Sequence, residues 1–196
     1  AEHVFIPLTV GGGVRSTDDV ANLLSEGADK IAVNTAAIQR PELISEISRR
    51  FGSQCTVLSI EAKRQTDGHW QAYTDNGREP TGLDVVEWAA RGEELGAGEI
   101  LITSVDQEGT RKGFDIELCR EVSSHVSIPT ILSGGMGRPE HLVEAATEGM
   151  ADALAIADSI HYQRYEIGDL KREMLQAGLD IRDSEVLSAL STTQEE

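Results

Sequence analysis

Cysteine and aromatic residues are scarce in this sequence of 196 residues, which has 2 cysteines and 4% Phe, Trp and Tyr. The thiols of Cys55 and Cys119 are far apart in the chain and lie among apolar residues. They form neither a disulfide framework nor a metal-ligand spacing, so we expect two buried thiols in a reducing compartment and no metal. No apolar run reaches the about 18 residues of a membrane-spanning helix, and no basic-then-apolar segment opens the chain. The sequence therefore predicts a cytoplasmic protein.

Basic residues are also few, since 17 Lys and Arg stand against 34 Asp and Glu, which gives a net charge of −17. This balance argues against nucleic acid and against an anionic membrane surface as partners, because both require a basic face. A small phosphorylated substrate remains compatible with it, since backbone N–H groups bind phosphate even on an acidic protein.

Short apolar runs alternate with segments of helical periodicity along the whole chain. The runs lie at 4–10, 30–33, 55–60, 99–103, 128–132 and 152–156. They are rich in Val, Ile and Leu with little polar alternation, which is typical of strands buried on both faces. This order predicts six strand–helix units with a parallel sheet in one domain over 1–182, followed by a polar tail over 183–196.

One segment, 63–80, interrupts this order. It contains Asp67-Gly68 and Asn76-Gly77, dipeptides that favour tight turns, on either side of a short aromatic stretch. We therefore expect a small β-hairpin inserted after the third strand. Trp70 and Tyr73 would either cap a pocket or pack against the base of the hairpin.

An internal repeat indicates the architecture. The segment Thr9-Val10-Gly11-Gly12 is similar to Leu132-Ser133-Gly134-Gly135, and ADKIAV at 28–33 is similar to ADALAI at 151–156. Both pairs have the same offset, 135 − 12 = 123 and 152 − 29 = 123, so they indicate two related halves. Four units per half give the (β/α)8 TIM barrel of about 250 residues. We expect six of its eight units here, with two missing at the N-terminus, and the alternative is an open doubly wound sheet.

Chemistry in parallel α/β folds gathers at the carboxyl ends of the strands. Glycine-rich segments follow two strands related by the repeat, which suggests two phosphate sites on opposite sides of the barrel mouth and a substrate with a phosphate at each end. Their alternative role is to form tight turns only. Glu61 and Asp106 follow neighbouring strands, where they would transfer protons. Alternatively, either one would cap a helix or pair with Lys63, Arg64 or Lys112.

Several segments closely resemble the HisF family, the cyclase subunit of imidazole glycerol phosphate synthase in histidine biosynthesis. They are PLTVGGGVR, GADKIAVNTAA, RFGSQC, GAGEILITSVDQEGTRKGFD and SIPTILSGGMG, and they extend nearly to residue 182. The resemblance implies a barrel that receives ammonia from a HisH-like glutaminase subunit on its bottom face. It implies a ribulosyl aminoimidazole carboxamide nucleotide with two phosphates as substrate, and imidazole glycerol phosphate and an aminoimidazole carboxamide ribotide as products. It implies neither a metal nor an organic cofactor.

The resemblance also assigns residues. Glu61 matches an acid at the mouth, and Asp106 is the second catalytic candidate. One phosphate site, the first site, comprises Gly12, Gly13, Asn34 and Thr35. The other, the second site, comprises Gly109, Ser133, Gly134, Gly135, Ala157 and Asp158. An ammonia gate and partner-facing surface at the amino ends of the strands comprises Asp29, Lys30 and Glu99, for which a stabilising ion pair is the simpler interpretation.

Three features depart from the family pattern. The first two strand–helix units, with an essential Asp and a loop lysine, are missing, and Glu61 stands where the family has Asp. Asp158 stands where the family has a small residue, usually Ser, although the adjacent Ser159 could replace it. These departures keep two alternatives open: a HisF-like paralogue that aminates another acceptor, and a non-catalytic barrel fragment that retains the glutaminase-docking face.

Overall fold

A computed structural model describes residues 6–182 of the chain. Its strands are β1 (Thr9–Gly11), β2 (Lys30–Val33), β3 (Thr56–Arg64), β4 (Trp70–Thr74), β5 (Glu79–Asp84), β6 (Glu99–Ser104), β7 (Thr130–Ser133) and β8 (Ala153–Ala155). Its helices are α1 (Thr17–Ser25), α2 (Thr35–Gln39), α3 (Glu42–Phe51), α4 (Val85–Glu94), α5 (Ile116–Ser123), α6 (Glu140–Thr147), α7 (Asp158–His161) and α8 (Ile167–Gln176). None of these helices is long and apolar enough to cross a membrane.

Six of the strands form a parallel sheet in the order β1-β2-β3-β6-β7-β8 and curl into a half-barrel. A doubly wound sheet reverses its strand order at a switch point, whereas this order follows the chain throughout. The fold is therefore that of a (β/α)8 TIM barrel with six of its units, as predicted. The first predicted strand, 4–10, is longer than β1, and its residues 4 and 5 lie outside the described residues, as does the predicted tail over 183–196.

The predicted hairpin is present as β4 and β5. β3 pairs with β2 through 56–58, and its far end pairs antiparallel with β4 through 61–64, so the hairpin extends the sheet at the carboxyl end of β3. The hairpin ends at Asp84 rather than at residue 80, because β5 runs directly into α4, whose first turn Asp84 caps. Trp70 is 7% exposed and its Nε1 donates to Asp115 Oδ2 at 2.9 Å, so it packs beneath the hairpin instead of capping a pocket.

The hydrophobic core lies between the sheet and its helices. On β6, Ile100 and Ile102 point to the helices and are fully buried, whereas Leu101 points to the opposite face and is half-buried. Each fully buried isoleucine contributes about 1.5–3 kcal/mol of transfer free energy. The opposite face, called the inner face below, carries Lys30, Ser59, Glu61 and Glu99 and extends from the amino to the carboxyl ends of the strands.

The structure corrects the repeat alignment by one residue in the first strand of each pair. β1 pairs with β2 through Thr9 and Lys30, and β7 pairs with β8 through Ile131 and Ala153. The second strands keep the offset 153 − 30 = 123, but the first strands have 131 − 9 = 122. The reason is the loop that follows, which is one residue longer between β7 and α6 than between β1 and α1.

The glycines confirm this shift. Gly12 and Gly13 have φ of 98° and 73°, and Gly134 and Gly135 have φ of 94° and 104°. Gly12 therefore corresponds to Gly134 and Gly13 to Gly135, and the predicted match of Gly12 with Gly135 is wrong by one residue. All four occupy the left-handed region, where a residue with a Cβ is disfavoured.

The thiols differ in their environments. Cys119 on α5 is fully buried, and burial raises the pKa of its thiol to about 11. Cys55 is half-buried, so the expectation of two buried thiols is correct for Cys119 only. The position of Cys55 explains the difference, because this residue ends a short 3₁₀ turn directly before β3, outside the layer between sheet and helices.

We expect a thiol reagent at pH 8 to modify Cys55 readily and Cys119 only after unfolding. The thiolate is the reactive form, and a rise of the pKa from 9.0 to about 11 leaves Cys119 with roughly a hundredfold less thiolate. With a reagent that releases one chromophore for each thiol it modifies, release of one per native chain and of two per denatured chain would agree with this. Rapid release of two from the native chain would contradict the burial of Cys119.

Candidate active site

A groove of about 840 Å³ opens at the carboxyl ends of β1 and β2. Its lining includes all four residues of the first site, Gly12, Gly13, Asn34 and Thr35, together with Glu61 and the hairpin-turn residues Asp75 and Asn76. The structure thus brings the first site and one catalytic candidate together. The groove has the size of a small-molecule pocket, for which about 300–1,000 Å³ is typical.

The loop before α1 is fixed by a capping box. Ser16 and Asp19 bond each other reciprocally, and Asp19 Oδ2 also accepts the Arg15 N–H at 2.9 Å. These hydrogen bonds, chiefly that of the Arg15 N–H, lower the pKa of Asp19. The box orients the chain that leaves Gly13, so the glycines of the first site face the groove from a fixed loop.

Asn34 supplies a polar side chain to the first site, next to Thr35. Its Nδ2 donates to the Tyr73 carbonyl of the hairpin at 3.2 Å, while its buried Oδ1 has no hydrogen-bond partner within residues 6–182. A buried acceptor without a partner is costly, so a donor group on a ligand in the groove would stabilise it.

Glu61 extends from the inner face of β3 into the same groove. Its Oε2 accepts the Gly77 N–H at 2.7 Å, and it forms no ion pair with the described residues. The alternative of an ion pair with Lys63, Arg64 or Lys112 is therefore wrong for Glu61 within residues 6–182, and Arg64 contacts Glu117 at 2.7 Å instead. The carboxylate both faces the groove and holds the hairpin turn above it.

Asp106 lies apart from this arrangement. It is exposed, lines neither the groove nor the second site, and accepts the Arg64 N–H at 2.8 Å. Its visible contact supports the end of β3, and the structure does not bring it together with the phosphate-site residues.

The second site is a small cavity of about 30 Å³ at the carboxyl ends of β7 and β8. All of its predicted residues line it: Gly109, Ser133, Gly134, Gly135, Ala157 and Asp158. It is tighter than the groove because the loop after β6 packs against the glycines. A Cβ at Gly135 would lie 2.0 Å from the Gly113 carbonyl oxygen, whereas a Cβ at Gly13 would meet nothing within 4 Å.

Asp158 is bound to two arginines. Its Oδ2 accepts from Arg111 Nε at 2.9 Å and from Arg164 Nη1 at 2.5 Å. Ser159, the suggested replacement for the family's small residue, lines the cavity, but it is 2% exposed and its hydroxyl donates to the Met136 sulfur at 3.0 Å.

Lys30 and Glu99 form an ion pair at the opposite, amino end of the strands. Both lie on the inner face, where Glu99 is in register with Val57, which is 1% exposed. Asp29 is not part of this pair: its Oδ2 accepts the Leu8 N–H at 2.8 Å and so joins β1 to β2. Within residues 6–182, no three His, Cys, Asp or Glu side chains cluster closely enough to hold a metal ion.

The sequence matches the model of the histidine biosynthesis protein family over residues 1–166. The chain belongs to this family. It is similar to imidazole glycerol phosphate synthase subunit HisF of Legionella pneumophila, with 69% identity over 140 residues. The match covers 71% of this chain and 66% of that relative, so it spans slightly less than two thirds of the relative's length.

The motifs of this member of the histidine biosynthesis protein family point neither to Arg111, which lines the second site, nor to Arg164, which binds Asp158 from outside the lining. Arg111 has φ of 59°, a conformation uncommon for a residue with a Cβ, and Arg164 follows α7. Neither belongs to a glycine motif or to a strand end. The basic pair Arg111-Lys112 within TRKGFD and the acidic departure at Asp158 were the signals that could have found them.

Proposed function

We propose that this chain is part of the cyclase barrel of an imidazole glycerol phosphate synthase. Its substrate would be the two-phosphate ribulosyl aminoimidazole carboxamide nucleotide, and its co-substrate ammonia from a glutaminase subunit. The observation that carries the proposal is the pair of repeat-related glycine sites at one end of the half-barrel, with Glu61 on the inner face beside the first. The name of the Legionella relative supports it. A cytoplasmic location fits this activity.

The inner face offers a path between the two ends. Lys30 and Glu99 lie at its amino end, and Ser59 and Glu61 lie above Val57 on the same face of β3. A glutaminase subunit docked at the amino end would deliver ammonia beside the ion pair. Ammonia is small and neutral, so an opening between Lys30 and Glu99 would be sufficient to admit it.

Glu61 would transfer protons at the carboxyl end. Its carboxylate would accept a proton from ammonia as the nitrogen adds to the ketone carbon of the ribulosyl group, and would return it to the oxygen that leaves as water. It would then take a proton from that nitrogen as it attacks the amidine carbon and closes the imidazole ring, and would return it to the nitrogen of the aminoimidazole carboxamide ribotide as the C–N bond to that nitrogen breaks. General acid–base transfer of this kind contributes about 10²–10⁴-fold in rate. The two phosphates, bound at opposite sides of the mouth, would fix the reacting carbon beside this carboxylate.

Turnover of the ribulosyl nucleotide with an ammonium salt tests the proposal. We expect the full-length gene product to release the aminoimidazole carboxamide ribotide with ammonium chloride, and with glutamine only when a glutaminase subunit is added. Loss of ammonia-dependent turnover in Glu61→Gln would attribute the product to this site. Binding of a glutaminase subunit without turnover would overturn the catalytic proposal and favour a non-catalytic barrel.

A second candidate is a HisF-like paralogue that aminates another acceptor, such as a sugar. The observation that favours it is Asp158, a carboxylate within the second site. Under this alternative the ribulosyl nucleotide would bind weakly, and a phosphorylated acceptor with one anionic end would be consumed with ammonia instead.

A further inference from the structure

We propose that Asp158 determines the ligand preference of the second site by occupying the arginines that a phosphate group would otherwise bind. The second site then holds a dianionic phosphate more weakly than the first site does. This inference rests on the proposed function, because it takes the two sites as those of the two ends of a phosphorylated substrate.

The repeat supplies an internal comparison. Asn34 and Ala157 occupy equivalent positions before α2 and α7, with φ of −126° and −125°. Thr35 and Asp158 therefore occupy equivalent positions, one residue later. The first site has a neutral hydroxyl where the second has a carboxylate, so the same backbone frame carries different charge.

Both arginines bind the same oxygen of Asp158. Arg111 Nε and Arg164 Nη1 contact Oδ2, and Arg164 Nη1 also lies 3.3 Å from the Asp158 carbonyl oxygen. Guanidinium groups bind carboxylate and phosphate through the same N–H donors. A phosphate that entered the cavity would have to compete with Asp158 for those donors.

The arginine loop is held firmly in place. Arg111 has φ of 59°, and a Cβ at Gly137 would lie 2.1 Å from its carbonyl oxygen, so the two loops are in backbone contact. The Arg164 guanidinium lies 4.8 Å from the centre of the Tyr162 ring. The side chains of Arg111, Arg164 and Asp158 are 49%, 32% and 27% exposed, so the triad is partly open to solvent while both guanidinium groups converge on one carboxylate oxygen.

The charges that line the cavity do not favour a dianion. Glu108 lines it as well, and its Oε2 lies 3.1 Å from the position of a Cβ at Gly134. The lining thus has the carboxylates of Glu108 and Asp158 against the guanidinium of Arg111, while Arg164 reaches Asp158 from outside the lining. A site in which two negative side chains face one positive side chain gains nothing from a second negative charge on its ligand, so it favours a group with at most one.

A titration with inorganic phosphate, followed by the backbone amide NMR signals of the glycines, reports on both sites in one experiment. Gly12 and Gly13 report the first site, and Gly134 and Gly135 the second. In the full-length gene product we expect the second pair to respond at higher phosphate concentration than the first. Asp158→Thr copies the first site and should tighten phosphate binding at the second pair roughly tenfold, the effect of one charge-assisted contact.

Three further variants complete the test. Asp158→Asn removes the charge with little change in size and should act in the same direction as Asp158→Thr. Thr35→Asp should weaken phosphate binding at the first pair. Asp169→Asn, which removes an exposed charge on α8 that pairs with Arg172, should change neither.

The outcomes separate this inference from the proposed function. If the ratio of phosphate affinities at the two glycine pairs is the same in both Asp158 variants as in the parent protein, the inference is wrong while the phosphate sites stand. If phosphate binds more tightly at the second pair than at the first in the parent protein, the inference is also wrong. If phosphate shifts neither pair in any variant, the proposed function fails, and the inference with it.

Discussion

Replacing Gly135 by alanine is expected to lower the free energy of unfolding by roughly 3 kcal/mol or more, the range of large single-site effects. The new Cβ would lie 2.0 Å from the Gly113 carbonyl oxygen, a backbone atom that cannot move without displacing the loop after β6. The φ of 104° adds strain, because an L-residue is disfavoured in that region. The same loop carries Arg111, so the substitution would distort the second site as well as destabilise the fold.

Gly13→Ala is the matched control, because Gly13 is the repeat equivalent of Gly135. It also has positive φ, 73°, but a Cβ there meets nothing within 4 Å. We therefore expect it to cost only the conformational strain, about 1–2 kcal/mol. Urea unfolding of the two variants gives the comparison, and equal losses would contradict the close approach described for Gly135.

Glu61→Gln is expected to reduce kcat by about a hundredfold or more, the range of a lost general acid–base group. The hairpin should keep its place, since the amide oxygen of glutamine still accepts the Gly77 N–H that Glu61 accepts at 2.7 Å. Loss of turnover with an unchanged fold would therefore identify proton transfer rather than support of the hairpin as the role of this side chain. Steady-state kinetics with ammonium chloride measures it.

Glu61→Asp also distinguishes proton transfer from support of the hairpin turn. It keeps the carboxylate but is one methylene shorter, so we expect a weakened bond to Gly77 and faster hydrogen exchange of that amide, with part of the activity retained. Full activity in Glu61→Gln together with a loosened hairpin in both variants would show that Glu61 only anchors the turn.

The parts of the structure that follow from local pattern could be predicted. Alternating apolar runs and helical segments indicated the parallel strands, and the repeat indicated a barrel. Both glycine sites assemble at strand ends because parallel strands bring their carboxyl ends to one edge of the sheet. The register of β1 could not be fixed, because sequence similarity alone allowed Gly12 to align with either glycine of the pair at 134 and 135.

The charged contacts could not be predicted, because they depend on loops whose paths are set by tertiary packing. Arg111 and Arg164 reach Asp158 from two different loops. Asp106 follows a strand end as expected, yet its carboxylate turns to the Arg64 N–H. Spacing along the chain places such residues near a site but does not determine which hydrogen bond each side chain makes.

Asp29 and Asp152 occupy equivalent positions, and each joins the two strands of its own pair. Asp29 accepts the Leu8 N–H and Asp152 the Thr130 N–H, both at 2.8 Å. Each strand pair therefore contains its own stabilising hydrogen bond. Donor and acceptor residues are 21 or 22 positions apart, so about two dozen consecutive codons encode each bond. Recombination at a point between the two strand pairs would leave both hydrogen bonds intact. Each strand pair is thus suited to exchange between genes as a unit.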